Sequence, residues 1–209
     1  MNKLKTLALA ISLSFVASVA SAEMRMGVSA HVMMLESSGS ETLRQSSNVT
    51  NHTEEEVAIV PSVFIEAVNS DGLGIGIDYV PVAELGEGTG ADDDAETSGA
   101  NKASAELASH STLYLIAQNE NGLFLKAGMA FADVETTEVL ATGDSYGDAT
   151  TEGLMAGIGI SRDLDNGNFA RGELSYVDYD EVSITSTGGS TVKASVDTVN
   201  LTFSIGKSF

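Results

Sequence analysis

The sequence predicts an all-β chain: a transmembrane antiparallel up-and-down β-barrel of eight strands. Three observations carry that prediction. Apolar residues recur at every second position along eight segments, long and short connections alternate strictly between them, and the opposite register combines glycine with charges of both signs. A period of two marks a strand with unlike faces. Strictly alternating connection lengths are the rhythm of a barrel with tight turns at one rim and longer loops at the other.

The strands are preceded by a different kind of segment. Lys3 and Lys5 head an uncharged apolar stretch over 7–19, and Ala20-Ser21-Ala22 offers a small-x-small cleavage site. That order reads as a secretory signal peptide over 1–22, leaving 23–209 as one barrel domain.

In the first run, 24–35, Met24, Met26, Val28, Val32 and Met34 share a face opposite Arg25, Gly27, Ser29 and His31. The second, 57–68, sets Ile59, Pro61, Val63 and Ile65 against Ser62, Phe64 and Glu66. The third, 73–82, sets Leu73, Ile75, Ile77 and Tyr79 against Gly74, Gly76 and Asp78. In the fourth, 109–118, Leu113, Leu115 and Ala117 align, although Tyr114 and Ile116 blur the contrast. The fifth opposes Leu123, Leu125, Met129 and Phe131 to Lys126 and Gly128, and the sixth opposes Leu154, Ile158 and Ile160 to Gly157, Gly159 and Ser161. The seventh, 169–182, carries Leu174 and Tyr176 against Arg171, Glu173 and Ser175. The eighth sets Val199, Leu201, Phe203, Ile205 and Phe209 against Asn200, Thr202, Ser204 and Gly206, with Lys207 interrupting the apolar register.

Asn69-Ser70-Asp71-Gly72, Asn119-Glu120-Asn121-Gly122 and Asp165-Asn166-Gly167-Asn168 are tight-turn sequences. The stretches 36–56, 83–108, 134–150 and 183–194 read as long polar loops. Both termini then share the rim of the short turns, the periplasmic side of an exported barrel.

Alternation alone also fits a lipocalin-like soluble barrel with its apolar face inward. Glycines argue for the reverse, because an eight-stranded barrel has an interior barely wide enough for side chains. Arg25, Glu66, Asp78, Lys126, Arg171 and Glu173 fall in the same register, where they can pair as a lumen polar network. Such a network reads as a plug, with a small porin or gated channel as the competing reading, since open water-filled pores use about 16 strands.

The chain carries net charge −20, and loss of Lys3 and Lys5 with the signal takes the mature part to −22. A surface this acidic repels nucleic acid, which needs a basic footprint, and attracts cations. The absence of cysteine removes disulfides and cysteine-ligated metals.

The ending Leu201-Thr202-Phe203-Ser204-Ile205-Gly206-Lys207-Ser208-Phe209 resembles the closing strand of Gram-negative outer-membrane proteins. With the leader and the loop rhythm, the whole mature chain resembles the OmpA-like barrels, including opacity-type surface proteins. That resemblance implies outer-membrane lipid and lipopolysaccharide as surroundings. It also implies recognition by the barrel assembly machinery through Phe203, Ile205 and Phe209. Lys207 departs from the pattern, and Tyr79, Phe131, Tyr176 and Tyr179 are the candidates for a sparse aromatic girdle without tryptophan.

Some small barrels modify lipid A, so nucleophile–base pairs matter. The histidines are His31, His52 and His110, and His110 with Thr112 near the outer end of the fourth run offers a hydroxyl at matching parity. No orienting acid is legible, and no catalytic, cofactor or metal residue is assigned. Asp92-Asp93-Asp94 lacks the alternate spacing of an EF-hand, leaving divalent cations as loosely held loop partners. The sequence therefore predicts a non-enzymatic barrel with a structural or surface-interaction role exerted through acidic loops.

Overall fold

The computed structural model describes residues 22–42, 49–92 and 99–209; the predicted signal peptide lies outside them except for Ala22. The strands are β1 (Glu23–Thr42), β2 (Val49–Val68), β3 (Leu73–Val80), β4 (Ala83–Asp92) and β5 (Gly99–Gln118). They continue as β6 (Leu123–Val139), β7 (Ala149–Asp163), β8 (Asn168–Tyr179), β9 (Val182–Thr185) and β10 (Thr191–Ser208). Neighbours pair antiparallel in the order β1-β2-β3-β5-β6-β7-β8-β10, and β1 pairs β10 from Arg25↔Ser208 to Thr42↔Thr191. The result is a closed eight-stranded barrel in which β4 and β9 prolong the walls begun by β3 and β8.

Chemistry explains the turns. Asn69 closes the first by accepting from Asp71 N and Leu73 N at 3.0 and 2.9 Å, while Gly72 takes φ +78°. Asn119 repeats the arrangement toward Asn121 and Leu123, with Gly122 at φ +85°. The left-handed region suits glycine, which has no Cβ to clash. The third turn is a single 3-10 turn over Asp165–Gly167.

The four expected long loops are largely ladder instead. The β1–β2 hairpin keeps its register past Glu36↔Glu55 to Thr42↔Val49, and β4 pairs β5 from Ala83↔Leu107 to Asp92↔Gly99. β6 runs on to Val139, and β9 pairs β10 between Val182 and Thr185. Backbone hydrogen bonds make a ladder whatever the side chains, so polar residues here obscured the strand without preventing it.

Side chains sort as an inside-out protein. Phe203 and Ile205 on the outer surface are 58% and 64% exposed, whereas Glu66 and Arg171 within are 1% and 4% exposed. On β1 the outer apolar band runs from Met24 to Met34. Ten residue steps cover about 33 Å of strand, which a tilt of about 40° reduces to about 25 Å, the height of a bilayer-facing band. Tyr79, Phe131 and Tyr176 stand on the outer surface, but Tyr179 does not: it is turned inward and buried. It shares the odd-numbered inward register of Arg171, Glu173 and Ser175 along β8, which alternates without interruption up to Tyr179.

The lumen is filled by aromatic rings seated over glycines. A Cβ on Gly76 would meet the Tyr114 ring, one on Gly159 the Phe124 ring, and one on Gly206 the Phe169 ring. Tyr114 and Ile116, which blurred the fourth run, are inward core residues.

One part of the wall is incomplete. The chain's two prolines, Pro61 and Pro81, flank the place where β2 leaves β3 after Val63↔Tyr79 and β3 ends. Above it, no ladder joins β2 to β4 among the described residues, and Val57 and Ile59 are 65% and 74% exposed. Proline lacks the N–H a central strand needs, so it belongs at such an edge.

Candidate functional site

Three tiers stack inside the barrel from the short-turn rim upward. The lowest centres on Glu66 of β2. Arg171 of β8 grips it bidentately, Nη2 donating to Oε1 at 2.7 Å and Nη1 to Oε2 at 3.1 Å. Tyr114 donates its hydroxyl to Oε2 at 2.9 Å, and Arg25 Nη1 lies 3.8 Å from Oε1. The Arg171 guanidinium sits 4.9 to 5.6 Å from the ring centroids of Phe64, Phe124 and Phe169, so the charge is lined by π faces. Beside this group Lys126 pairs with Glu173 at 2.7 Å, its ammonium 4.3 Å from the Tyr114 centroid.

Five residues expected in the lumen network thus fall into two adjoining ion-pair groups; the sixth, Asp78, does not join them. It belongs to the tier above, where it accepts from the Ser62 hydroxyl at 2.8 Å. With that proton committed, Ser62 accepts from His31 Nε2 at 2.8 Å, and His31 Nδ1 is hydrogen-bonded to the Thr202 hydroxyl at 2.9 Å. Sequence reading placed His31 in the correct register but gave it no partners, because those partners arrive from β2, β3 and β10. Tyr114 was missed because its ring sits among aliphatic neighbours in the fourth run.

The Ser62 hydroxyl donates to a carboxylate rather than to a base, which is the wrong direction for a nucleophile. His110 Nε2 bonds the Tyr179 hydroxyl at 2.9 Å, and this contact replaces the suggested pairing with Thr112. A cavity of about 50 Å³ bordered by His31, Asp78, His110 and Lys126 separates the two lower tiers from this pair.

Above His110 and Tyr179 the barrel widens into a vestibule of about 860 Å³. Met33, Leu35, Leu107, Val134, Val182, Ile184, Val192 and Val196 form much of its wall, while Glu54, Glu55, Glu56, Glu138 and Asp180 supply its acids. The connection 140–148 reaches over it: Tyr146 donates to Glu41 of β1 at 2.7 Å, and Thr187 N donates to Ser145 O at 2.9 Å. Burial, with the Glu41 bond beside it, raises the Tyr146 phenol well above the ordinary tyrosine range.

Among the described residues no group of three or more His, Asp or Glu side chains is arranged to hold a metal ion. Asp93 and Asp94 lie outside the described residues. At the other end, Phe209 N donates to Met24 O at 2.8 Å, and Phe203, Ile205 and Phe209 all face outward.

No protein-family model and no curated protein sequence matches the chain. Among solved structures, the outer membrane protein OprG from Pseudomonas aeruginosa aligns with a TM-score of 0.55 and 14% identity, over 90% of this chain and 96% of that one. Outer membrane protein AlkL, solved by solid-state NMR in DMPC bilayers, aligns with a TM-score of 0.52 and 10% identity, over 90% of each chain. At these identities the likeness is one of architecture, and the chain has the β-barrel fold of these outer-membrane proteins.

Proposed function

We propose that this protein is an integral outer-membrane barrel without enzymatic activity, closed across its middle by ion pairs, with a structural or surface-interaction role. The observation that carries the reading is the inside-out distribution of side chains: a belt of exposed apolar residues surrounds a buried, paired Glu66–Arg171. Such a belt is stable only against lipid, and a closed sheet is one of the two ways to satisfy backbone groups there. Outer-membrane lipid and lipopolysaccharide are the surroundings this implies. The outward Phe203, Ile205 and Phe209 fit recognition by the barrel assembly machinery, and the same ending supports a place near the OmpA-like and opacity-type proteins. The acidic long rim faces outward, where divalent cations would gather loosely.

Membrane fractionation with electrophoresis in SDS tests this, with and without boiling. An outer-membrane band that shifts on boiling is expected; an unshifted, soluble periplasmic protein would overturn the reading. A gated channel is the second reading, favoured by the vestibule and the small cavity beneath it. Planar-bilayer conductance that rises in Lys126→Met or Arg171→Met, with barrel stability unchanged, would establish the gate in place of the plug.

A further inference from the structure

We propose that the vestibule binds an amphiphilic cation: an amine or quaternary ammonium group carried on an apolar chain or ring. This deepens the surface-interaction reading above and rests on it. Two independent features converge. The cavity, at about 860 Å³, falls in the range of small-molecule sites, about 300–1,000 Å³, and its walls are mainly aliphatic. Its acids come from β2, β6 and the break after β8, and no lysine or arginine is among the described residues that line it.

The apolar body of the ligand would lie against Leu35, Leu107, Val134 and Val196, leaving its cationic end among Glu54, Glu56 and Glu138. Charge selects the class: an anionic amphiphile would set like charges together, whereas a neutral one would leave the carboxylates unused.

The test uses the intact protein in phosphatidylcholine nanodiscs, with empty nanodiscs subtracted. Hexyltrimethylammonium, hexyl sulfate and hexanol are titrated under ligand-observed NMR. Saturable binding of the cation is expected, at least about tenfold tighter than that of hexyl sulfate, which corresponds to about 1.4 kcal/mol. Glu54→Gln with Glu56→Gln should weaken the cation several-fold and leave hexanol unchanged. Ala132→Trp combined with Ala194→Trp, which narrows the cavity from two walls, should weaken binding several-fold. Equal binding of cation and anion, or cation binding unchanged in that double variant, would overturn the proposal. Each preparation is also checked for its mobility shift on boiling. A wild-type protein with no shift overturns the membrane reading itself, whereas an intact shift without saturable cation binding overturns only this inference.

Discussion

Replacing Glu66 by glutamine probes the lumen most directly. Glu66 accepts three hydrogen bonds, two from Arg171 and one from Tyr114, and both members of the ion pair are almost fully buried. The amide keeps the shape but removes the charge, and its NH2 group faces a guanidinium that also donates. Arg171 is then a buried cation whose nearest remaining carboxylate, Glu173, is already bound to Lys126. Removing one member of a buried pair costs about 3–5 kcal/mol, against about 0–1 for an exposed pair. The expected loss for Glu66→Gln is about 3 kcal/mol or more, read from urea unfolding of the barrel in lipid vesicles. Glu66→Met combined with Arg171→Met should recover most of that loss, because no charge is left unpaired. A loss below about 1 kcal/mol, or a double variant as unstable as the sum of its parts, would refute the idea that charge pairing holds this tier.

Three other expectations follow from the packing. Gly76→Val drives a branched side chain into the Tyr114 ring and should cost at least about 1–3 kcal/mol by overpacking, seen as a lower temperature for the electrophoretic shift. Tyr146→Phe removes the bond to Glu41 and should speed proteolysis within 140–148, while changing barrel stability by no more than about 0.5 kcal/mol. Along β2, the amides at 50–60 that turn away from β1 face no ladder, so they should exchange hydrogen faster than their alternating neighbours. Uniform protection across that stretch would mean that the wall beside Pro61 is closed.

Much of the architecture was legible because the signals that specify it are local. Alternation needs only neighbouring residues, and the Asn69–Gly72 and Asn119–Gly122 turns carry their hydrogen-bonding groups within five positions. Where both faces of a strand are polar, as beyond Glu36, alternation has no contrast and ladder was read as loop. Tyr179 stands three positions from the outward Tyr176 on an unbroken strand, so period two itself assigns it to the lumen, and its choice for the outer girdle rested on residue type rather than on parity.

What the linear sequence determined by itself was therefore which residues could share the lumen: period two assigns a face, and Arg25, Glu66, Lys126, Arg171 and Glu173 had it in common. Only the tertiary structure decided their partners. Glu66 and Arg171 are separated by 105 positions and meet because the stagger of the closed barrel brings β2 and β8 to one height across a narrow interior. The same stagger lifts Asp78 to His31 and Ser62, and gathers aliphatic side chains from distant strands into a vestibule. Height within a closed barrel is a property of the whole sheet, and no single strand encodes it.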